Sequence, residues 1–267
     1  MICLPCCDNT VKELEGIPMK LGLVQYGMCW EDKTASKEKL LSLLEKNNAS
    51  SVDWLIFPEM TLTGFSLDLG KTEFDSTDVD FFKSIAKKHN SYVTFGGVFN
   101  KNNRAVTVDT KGNIVNEYSK QHLFSYGNET SYYEAGKNSK NRELFDIDGL
   151  KIMPSVCYDL RFSYLFWDYA KTTDVFFVIA SWPKSRREHW KTLLRSRAID
   201  NQCYVVGVNR VGSDPKLEYA GDSCVYGPFG EEIINCGDKE AVFFAEISKD
   251  QVIKVRKEYP FLNDRIK

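Results

Sequence analysis

The sequence predicts an α/β fold in which helices cover β-sheets. Short apolar runs typical of buried strands alternate with segments whose apolar residues recur at helical spacing, and glycine-containing turns separate further pairs of strands. No linker, repeat or low-complexity stretch divides the 267 residues. We therefore predict one domain over residues 19–257, with an N-terminal extension at 1–18 and a C-terminal tail at 258–267.

In the first half of the chain, three apolar runs predict buried strands, at Leu21–Tyr26, Trp54–Phe57 and Tyr92–Val98. Two helices are predicted between them, over Thr34–Asn47 and near Asp78–His89. In the first helix Leu40, Leu43 and Leu44 share one face, and Thr34 can cap its start. Turn sequences predict hairpins at Thr110–Asn113 and at Asp148-Gly149.

The second half of the chain continues the alternation of helices and strands. After Cys157 we predict a helix that extends to about Lys171, and a terminal helix is predicted to begin near Ser248. The turn Gly227–Gly230 is followed by two short strands. Between the helix predicted after Cys157 and the turn Gly227–Gly230 we predict, in order, strand Val175–Ala180, helix Ser185–Asn201 and strand Cys203–Asn209.

Composition narrows the class of protein. A net charge of −2 without a sustained basic stripe gives no reason to expect nucleic acid as a partner. No apolar run approaches the roughly 18 residues that span a bilayer, so we expect no membrane segment and a cytoplasmic protein. Most of the eight cysteines are expected to be buried thiols. Cys3, Cys6 and Cys7 are read as part of a mobile extension, with a metal site as the alternative.

Three apolar runs end in chemically potent side chains, namely Glu59, Lys120 and Cys157. A thiol at a strand-to-helix junction lies near backbone N–H groups and the positive end of a helix dipole, which favour its thiolate. A free thiol is nevertheless mostly protonated at neutral pH, so a carboxylate is needed to take its proton while an ammonium holds the developing charge. This combination predicts an enzyme that uses covalent cysteine chemistry.

From about Lys20 to Lys257 the chain resembles the nitrilase, or carbon–nitrogen hydrolase, superfamily, and within it the omega-amidase branch. The motifs that carry the resemblance are Phe57-Pro58-Glu59-Met60, Thr63-Gly64-Phe65, Tyr118-Ser119-Lys120-Gln121-His122-Leu123-Phe124 and Val156-Cys157-Tyr158-Asp159-Leu160-Arg161-Phe162. Supporting matches are Ala180-Ser181-Trp182-Pro183, Arg197-Ala198-Ile199-Asp200-Asn201-Gln202, Val208-Asn209-Arg210-Val211-Gly212 and Gly221-Asp222-Ser223.

The resemblance implies an α-β-β-α four-layer sandwich and a homodimer. It also implies that Glu59 is the general base, Lys120 the cation that stabilises the tetrahedral intermediate, and Cys157 the nucleophile. The family's second glutamate is expected at Glu129, with Glu134 as the alternative. No metal and no organic cofactor is implied.

For the substrate the resemblance implies a small omega-amide acid such as 2-oxoglutaramate or succinamate, hydrolysed to a carboxylate and ammonia through a thioester. Amidases of deaminated glutathione, other aliphatic amidases or nitrilases, and a non-catalytic binding scaffold are the alternatives. Asp159 is expected either to pair at the helix start or to contact the substrate. The residues expected to bind substrate are Tyr158, Arg161, Trp182 and Phe65, with Arg187 as a further candidate for its carboxylate.

Overall fold

Fourteen strands and six α-helices are found in residues 17–49, 52–136 and 142–266, the part of the chain that the computed structural model describes. The strands are β1 Met19–Gln25, β2 Trp54–Ile56, β3 Tyr92–Phe99, β4 Asn102–Val108, β5 Ile114–Ser119, β6 Phe145–Ile147, β7 Leu150–Val156, β8 Val175–Ala180, β9 Tyr204–Asn209, β10 Val211–Ser213, β11 Glu218–Ala220, β12 Cys224–Tyr226, β13 Glu232–Asn235 and β14 Ala241–Ile247. The helices are α1 Lys33–Lys46, α2 Leu69–Thr72, α3 Ser76–His89, α4 Tyr164–Trp167, α5 Arg187–Asn201 and α6 Lys249–Glu258.

Twelve of these strands form two six-stranded sheets. Sheet 1 has the order β14-β1-β2-β3-β4-β5, and sheet 2 has the order β13-β12-β9-β8-β7-β6. In each sheet three neighbouring strands are parallel, β1 to β3 in sheet 1 and β7 to β9 in sheet 2. Parallel strands need crossover connections, which α1 and α3 provide in sheet 1 and α4 and α5 in sheet 2. The carboxyl ends of the parallel strands in each sheet therefore share one edge, where ligands commonly bind.

Sheet 1 is closed on one side by the last strand of the chain. Strand β14 pairs antiparallel with β1 along its whole length, from Met19 opposite Ile247 to Gln25 opposite Ala241. The first and last strands therefore protect each other's backbone groups, and β1 is an inner strand of its sheet.

The buried apolar side chains form layers on both sides of each sheet. The layer between the sheets includes Ile56 of sheet 1 and Ile179 of sheet 2, both fully buried. On the outside of sheet 1, Phe82 of α3 packs in the same cluster as residues of β3. On the outside of sheet 2, Trp190 of α5 packs with the side chains of β8 and β9. This arrangement confirms the α-β-β-α sandwich.

The structure confirms the predicted strands, with ends shifted by one or two residues. It confirms in the same way every predicted helix except the one after Cys157. The predicted cap of the first helix is wrong. Asp32 is the N-cap of α1, because its extended backbone lets the carboxylate accept a hydrogen bond from Ala35 N at 2.9 Å, whereas Thr34 already lies inside the helix.

The long helix predicted after Cys157 is also wrong. A 3₁₀ turn covers Cys157–Arg161, and the following helix α4 comprises only Tyr164–Trp167. Phe162 separates the two with an extended backbone, φ −100° and ψ 93°, which cannot continue a helix. A hairpin of β10 and β11, which pairs Val211–Ser213 with Glu218–Ala220, was not predicted.

Cys3, Cys6 and Cys7 lie outside the described residues, as do most of positions 1–18. Strand β1 begins at Met19, and the division into extension, domain and tail stays a prediction. Within the described ranges, no helix has the length and apolar character needed to cross a membrane.

Candidate active site

Three side chains with acid, base or nucleophilic chemistry meet where strands of the two sheets end. Glu59 follows β2, Lys120 directly follows β5, and Cys157 directly follows β7. The strands belong to different sheets, so the packing of one sheet on the other brings the thiol to the carboxylate and the ammonium. Glu59 and Lys120 are buried, and Cys157 is partly buried.

Lys120 is enclosed by two carboxylates. Its Nζ lies 3.0 Å from Oε1 of Glu59 and 2.9 and 3.0 Å from the two oxygens of Glu129, and all three side chains have no solvent exposure. Burial alone favours the neutral amine, but the charges of Glu129 and Glu59 outweigh it and hold the pKa of Lys120 well above its ordinary value. The lysine is therefore a permanent cation in a dry environment.

Two further donors fix the carboxylate of Glu59. Asn103 Nδ2 donates to its Oε1 at 2.7 Å, and the backbone N–H of Ser181, which directly follows β8, donates to its Oε2 at 2.8 Å. Gly96 of β3 packs directly against the backbone of Glu59 and Met60. A side chain would not fit there, because a Cβ would lie 2.6 Å from Met60 N and 2.7 Å from Glu59 Cα. Sequence reasoning missed Asn103, since a single amide within a strand carries no motif.

The structure brings Glu129, and not Glu134, to the site. Glu129 is fully buried, bonds Lys120, and accepts a hydrogen bond from Phe124 N at 2.6 Å. Glu134 is exposed, and its backbone N–H donates to the carbonyl of Lys101. The position of Glu129 suits a residue that orients the lysine.

We expect Glu129→Gln to lower kcat on any amide substrate by about tenfold or more, because the lysine loses a charge-assisted partner. The exposed Glu134→Gln is the matched control and should stay within about twofold of the wild type. Steady-state ammonia release on folded proteins measures both. A loss at Glu134 with none at Glu129 would reverse the assignment.

Cys157 has a left-handed backbone, with φ +47°, at the start of its 3₁₀ turn. Such a conformation costs a non-glycine residue about 1–3 kcal/mol, and it is found where a side chain must be presented at a sharp turn. The thiol lies close enough to Glu59 for the carboxylate to raise its pKa, and it lines the same cavity as Lys120. The N–H of Tyr158 follows immediately along the turn, the position expected of an oxyanion donor.

The expectation that the turn favours the thiolate is wrong. Burial and the carboxylate of Glu59 raise the pKa of the Cys157 thiol well above its ordinary value, although Lys120 opposes them. A short 3₁₀ turn has little dipole to offset these effects. The thiol is thus protonated at neutral pH, and Glu59 is the neighbouring base that can remove its proton.

Asp159 has a structural role, because its carboxylate is engaged in hydrogen bonds within the protein. Its buried carboxylate accepts hydrogen bonds from the hydroxyl of Tyr118 at 2.8 Å and from the backbone N–H groups of His122 and Val156 at 2.9 and 3.2 Å. Nδ1 of His122 lies 3.0 Å from the same carboxylate. These contacts join the turn that carries Cys157 to the segment that follows Lys120.

A cavity of about 720 Å³ opens above Cys157 and Lys120. All four residues expected to bind substrate line it, namely Tyr158, Arg161, Trp182 and Phe65. The sequence did not point to the other lining side chains, which include Trp30, Phe124, Tyr126, Tyr132, Arg186 and Tyr219.

Arg187 does not line the cavity. Its guanidinium forms a bidentate pair with the buried carboxylate of Asp222, at 2.8 and 3.0 Å, and this partner raises the pKa of the arginine. It is therefore engaged within the protein and is removed from the candidates for substrate binding. Arg186, the preceding residue, lines the cavity instead.

The chemistry of the site follows from these contacts. A thiol beside a carboxylate can lose its proton and attack an electrophilic carbon, and a buried ammonium beside a backbone N–H can stabilise the negative oxygen that results. Such an arrangement suits a hydrolase.

Comparison with known proteins agrees with this class. A carbon–nitrogen hydrolase family model matches residues 20–257. A 2-oxoglutaramate amidase of Bacillus subtilis (strain 168) is 32% identical over 253 residues, which cover 91% of this chain and 96% of the relative. Omega-amidase YafV of Escherichia coli (strain K12) is 33% identical over 258 residues, which cover 92% and 96%.

A solved structure gives the same result. A CN-hydrolase superfamily protein from Xanthomonas campestris, with an arsenic adduct in its active site, superposes with a TM-score of 0.88 at 32% identity, covering 94% of this chain and 98% of that one. The chain belongs to the carbon–nitrogen hydrolase family. The resemblance seen in the sequence is thereby confirmed.

Proposed function

We propose that the protein is an omega-amidase that hydrolyses the terminal carboxamide of small omega-amide acids, of the 2-oxoglutaramate or succinamate type, to the carboxylate and ammonia. The observation that carries the proposal is the buried contact set of Lys120 with Glu59 and Glu129, beside the thiol of Cys157. The similarity to amidases of that name supports the substrate class.

In the first half of the reaction, Glu59 takes the proton of the Cys157 thiol as the sulfur attacks the amide carbon. A C–S bond forms and the carbonyl oxygen becomes negative. Lys120 and the N–H of Tyr158 stabilise that oxygen, a contribution of about 3–4 kcal/mol per donor in comparable sites. The tetrahedral intermediate then expels the nitrogen, which leaves as ammonia after it receives the proton held by Glu59.

In the second half, the thioester is hydrolysed. Glu59 removes a proton from water, the resulting hydroxide adds to the acyl carbon, and the C–S bond breaks. The proton then returns from Glu59 to the sulfur, so that the free thiol is restored. Asn103 and Ser181 hold the carboxylate in one orientation throughout, which lets a single base serve both steps.

A specific observation supports a second candidate. The cavity of about 720 Å³ is much larger than a small monoamide requires, which favours a longer amide such as deaminated glutathione. A non-catalytic scaffold has no such support, because Lys120 contacts Glu59 and lines the same cavity as Cys157. Formation of a homodimer and a cytoplasmic location remain parts of the proposal that the sequence alone supports.

The test is a comparison of kcat/KM for succinamate and butyramide, which differ in the free carboxylate. We expect succinamate to react at least about tenfold faster, because a charged substrate group that meets matching donors is strongly preferred over an analogue without it. Release of ammonia measures both rates. Equal values would discard the omega-amidase while leaving a general aliphatic amidase, and deaminated glutathione in the same assay separates the second candidate.

A further inference from the structure

Two arginines of the cavity have no acidic partner. In the part of the chain that the structure describes, the guanidiniums of Arg161 and Arg186 form no ion pair, although both are partly buried and line the cavity. Arg161 has one polar contact, with Nη2 3.2 Å from Nδ1 of His189. Their charges therefore remain available to a bound anion.

Aromatic rings hold both guanidiniums in place. The guanidinium of Arg186 lies over the ring of Phe124, 5.3 Å from its centroid, and the ring centroids of Phe124 and Tyr158 are 5.1 Å apart. The guanidinium of Arg161 lies 6.0 Å from the ring centroid of Tyr158 and 4.9 Å from that of Trp182. Trp182 Nε1 also donates a hydrogen bond to the backbone carbonyl of Arg186 at 2.9 Å, so the last residue of this series contacts the first. We call these five residues the arginine–aromatic wall. Stacking fixes the plane of a guanidinium and leaves its N–H edges free to bind.

Among the described residues, the three acidic side chains that line the cavity, Glu31, Asp68 and Asp214, form no ion pair with the arginines of the wall. Asp214 accepts three hydrogen bonds within its own hairpin, from Lys216 N, Leu217 N and the hydroxyl of Tyr219. Glu31 accepts from the hydroxyl of Ser66. The lysine near the thiol is already compensated by two glutamates. The wall therefore carries unpaired positive charge on the side of the cavity where Tyr158 adjoins Cys157 in sequence.

We propose that Arg186, acting with Arg161, binds the carboxylate of the substrate and sets the preference of the site for anionic amides. The inference rests on the proposed function, since it specifies how the omega-amide acid is recognised. Both guanidiniums line the same cavity, and a carboxylate held by two such forks would accept more than one hydrogen bond at each oxygen. Arg161 lies on the same turn as Cys157, and Arg186 lies on a separate turn before α5. Arg186 is therefore the residue whose replacement changes specificity with least effect on the nucleophile.

The experiment measures kcat/KM for succinamate and for butyramide in the wild type, Arg186→Gln, Arg186→Lys and Lys184→Gln. We expect Arg186→Gln to lower the succinamate-to-butyramide ratio by about 10- to 100-fold. Arg186→Lys keeps the charge but loses the fork, and its ratio should lie between those of Arg186→Gln and the wild type. Lys184→Gln removes a charge from the same turn outside the cavity and should leave the ratio unchanged.

The ratio within one variant does not depend on how much of that protein is folded, so partial misfolding cannot imitate the result. A wild type that prefers succinamate, together with an Arg186→Gln variant that keeps the preference, overturns the inference and leaves the omega-amidase standing. An equal fall in Lys184→Gln also overturns it, because the effect would then be that of the general field. A wild type without any preference overturns the inference and the proposed function together.

Discussion

Glu59→Gln is expected to lower the kcat of amide hydrolysis by about 10²- to 10⁴-fold, because it removes the base that activates both the thiol and the water. The same change should make the Cys157 thiol ionise at lower pH. Burial and the carboxylate of Glu59 both raise the pKa of this thiol. Loss of the carboxylate leaves Lys120, which favours the thiolate, with a larger effect than the remaining charge of Glu129. Turnover and thiol ionisation thus move in opposite directions.

The rate of iodoacetamide alkylation, followed residue by residue with mass spectrometry from acidic to alkaline pH, measures the second effect. Cys29, which is partly exposed, is the internal reference, and Cys203, whose pKa burial raises to about 12, should stay unlabelled. In the wild type the raised pKa of the Cys157 thiol should confine its labelling to alkaline pH, and in Glu59→Gln the labelling should begin at lower pH. An alkylation profile that moves to higher pH in Glu59→Gln, or near-normal turnover, would contradict the role of Glu59.

Lys120→Met is the second large effect, and it should reduce both activity and stability. Removal of the oxyanion cation is expected to cost about 10²- to 10³-fold in kcat. The free energy of unfolding should fall by about 3–5 kcal/mol, because the variant leaves Glu59 and Glu129 buried without their counter-charge. The sequence alone does not indicate this loss of stability, because the substitution removes a charge and little side-chain volume.

Urea denaturation measures the loss of stability, with Lys88→Met on the exposed face of α3 as the control. If Lys120→Met unfolded at the same urea concentration as the wild type at neutral pH, the charges of the two glutamates would have to be compensated by a group other than the lysine.

The reactive side chains could be predicted because each one ends an apolar run. Strands β2 and β7 are almost entirely buried, and Glu59 and Cys157 follow them at the ends of their sheets, whereas β5, which Lys120 follows, alternates between buried and exposed residues. The order of the strands and the packing of one sheet on the other could not be predicted in this way. They depend on contacts between residues far apart in sequence.

Other parts of the site were hidden for local reasons. Arg186 and Arg187 are adjacent, and neighbouring residues at a helix start point in directions about 100° apart, so the position of the helix start decides which one faces the cavity. The helix begins two residues later than predicted. Ser181 contributes a backbone N–H to Glu59, and a side-chain pattern carries no information about such a contact.

The pairing of β1 with β14 affects how the chain can be shortened or synthesised. Until Ala241–Ile247 is available, β1 presents an unpaired edge of mostly apolar residues, a template for association with other chains. A truncation before residue 241 would leave every acid, base and nucleophile of the site in the polypeptide and still expose that edge. Expression of such a fragment should therefore yield aggregates, even though the chemistry is encoded entirely upstream.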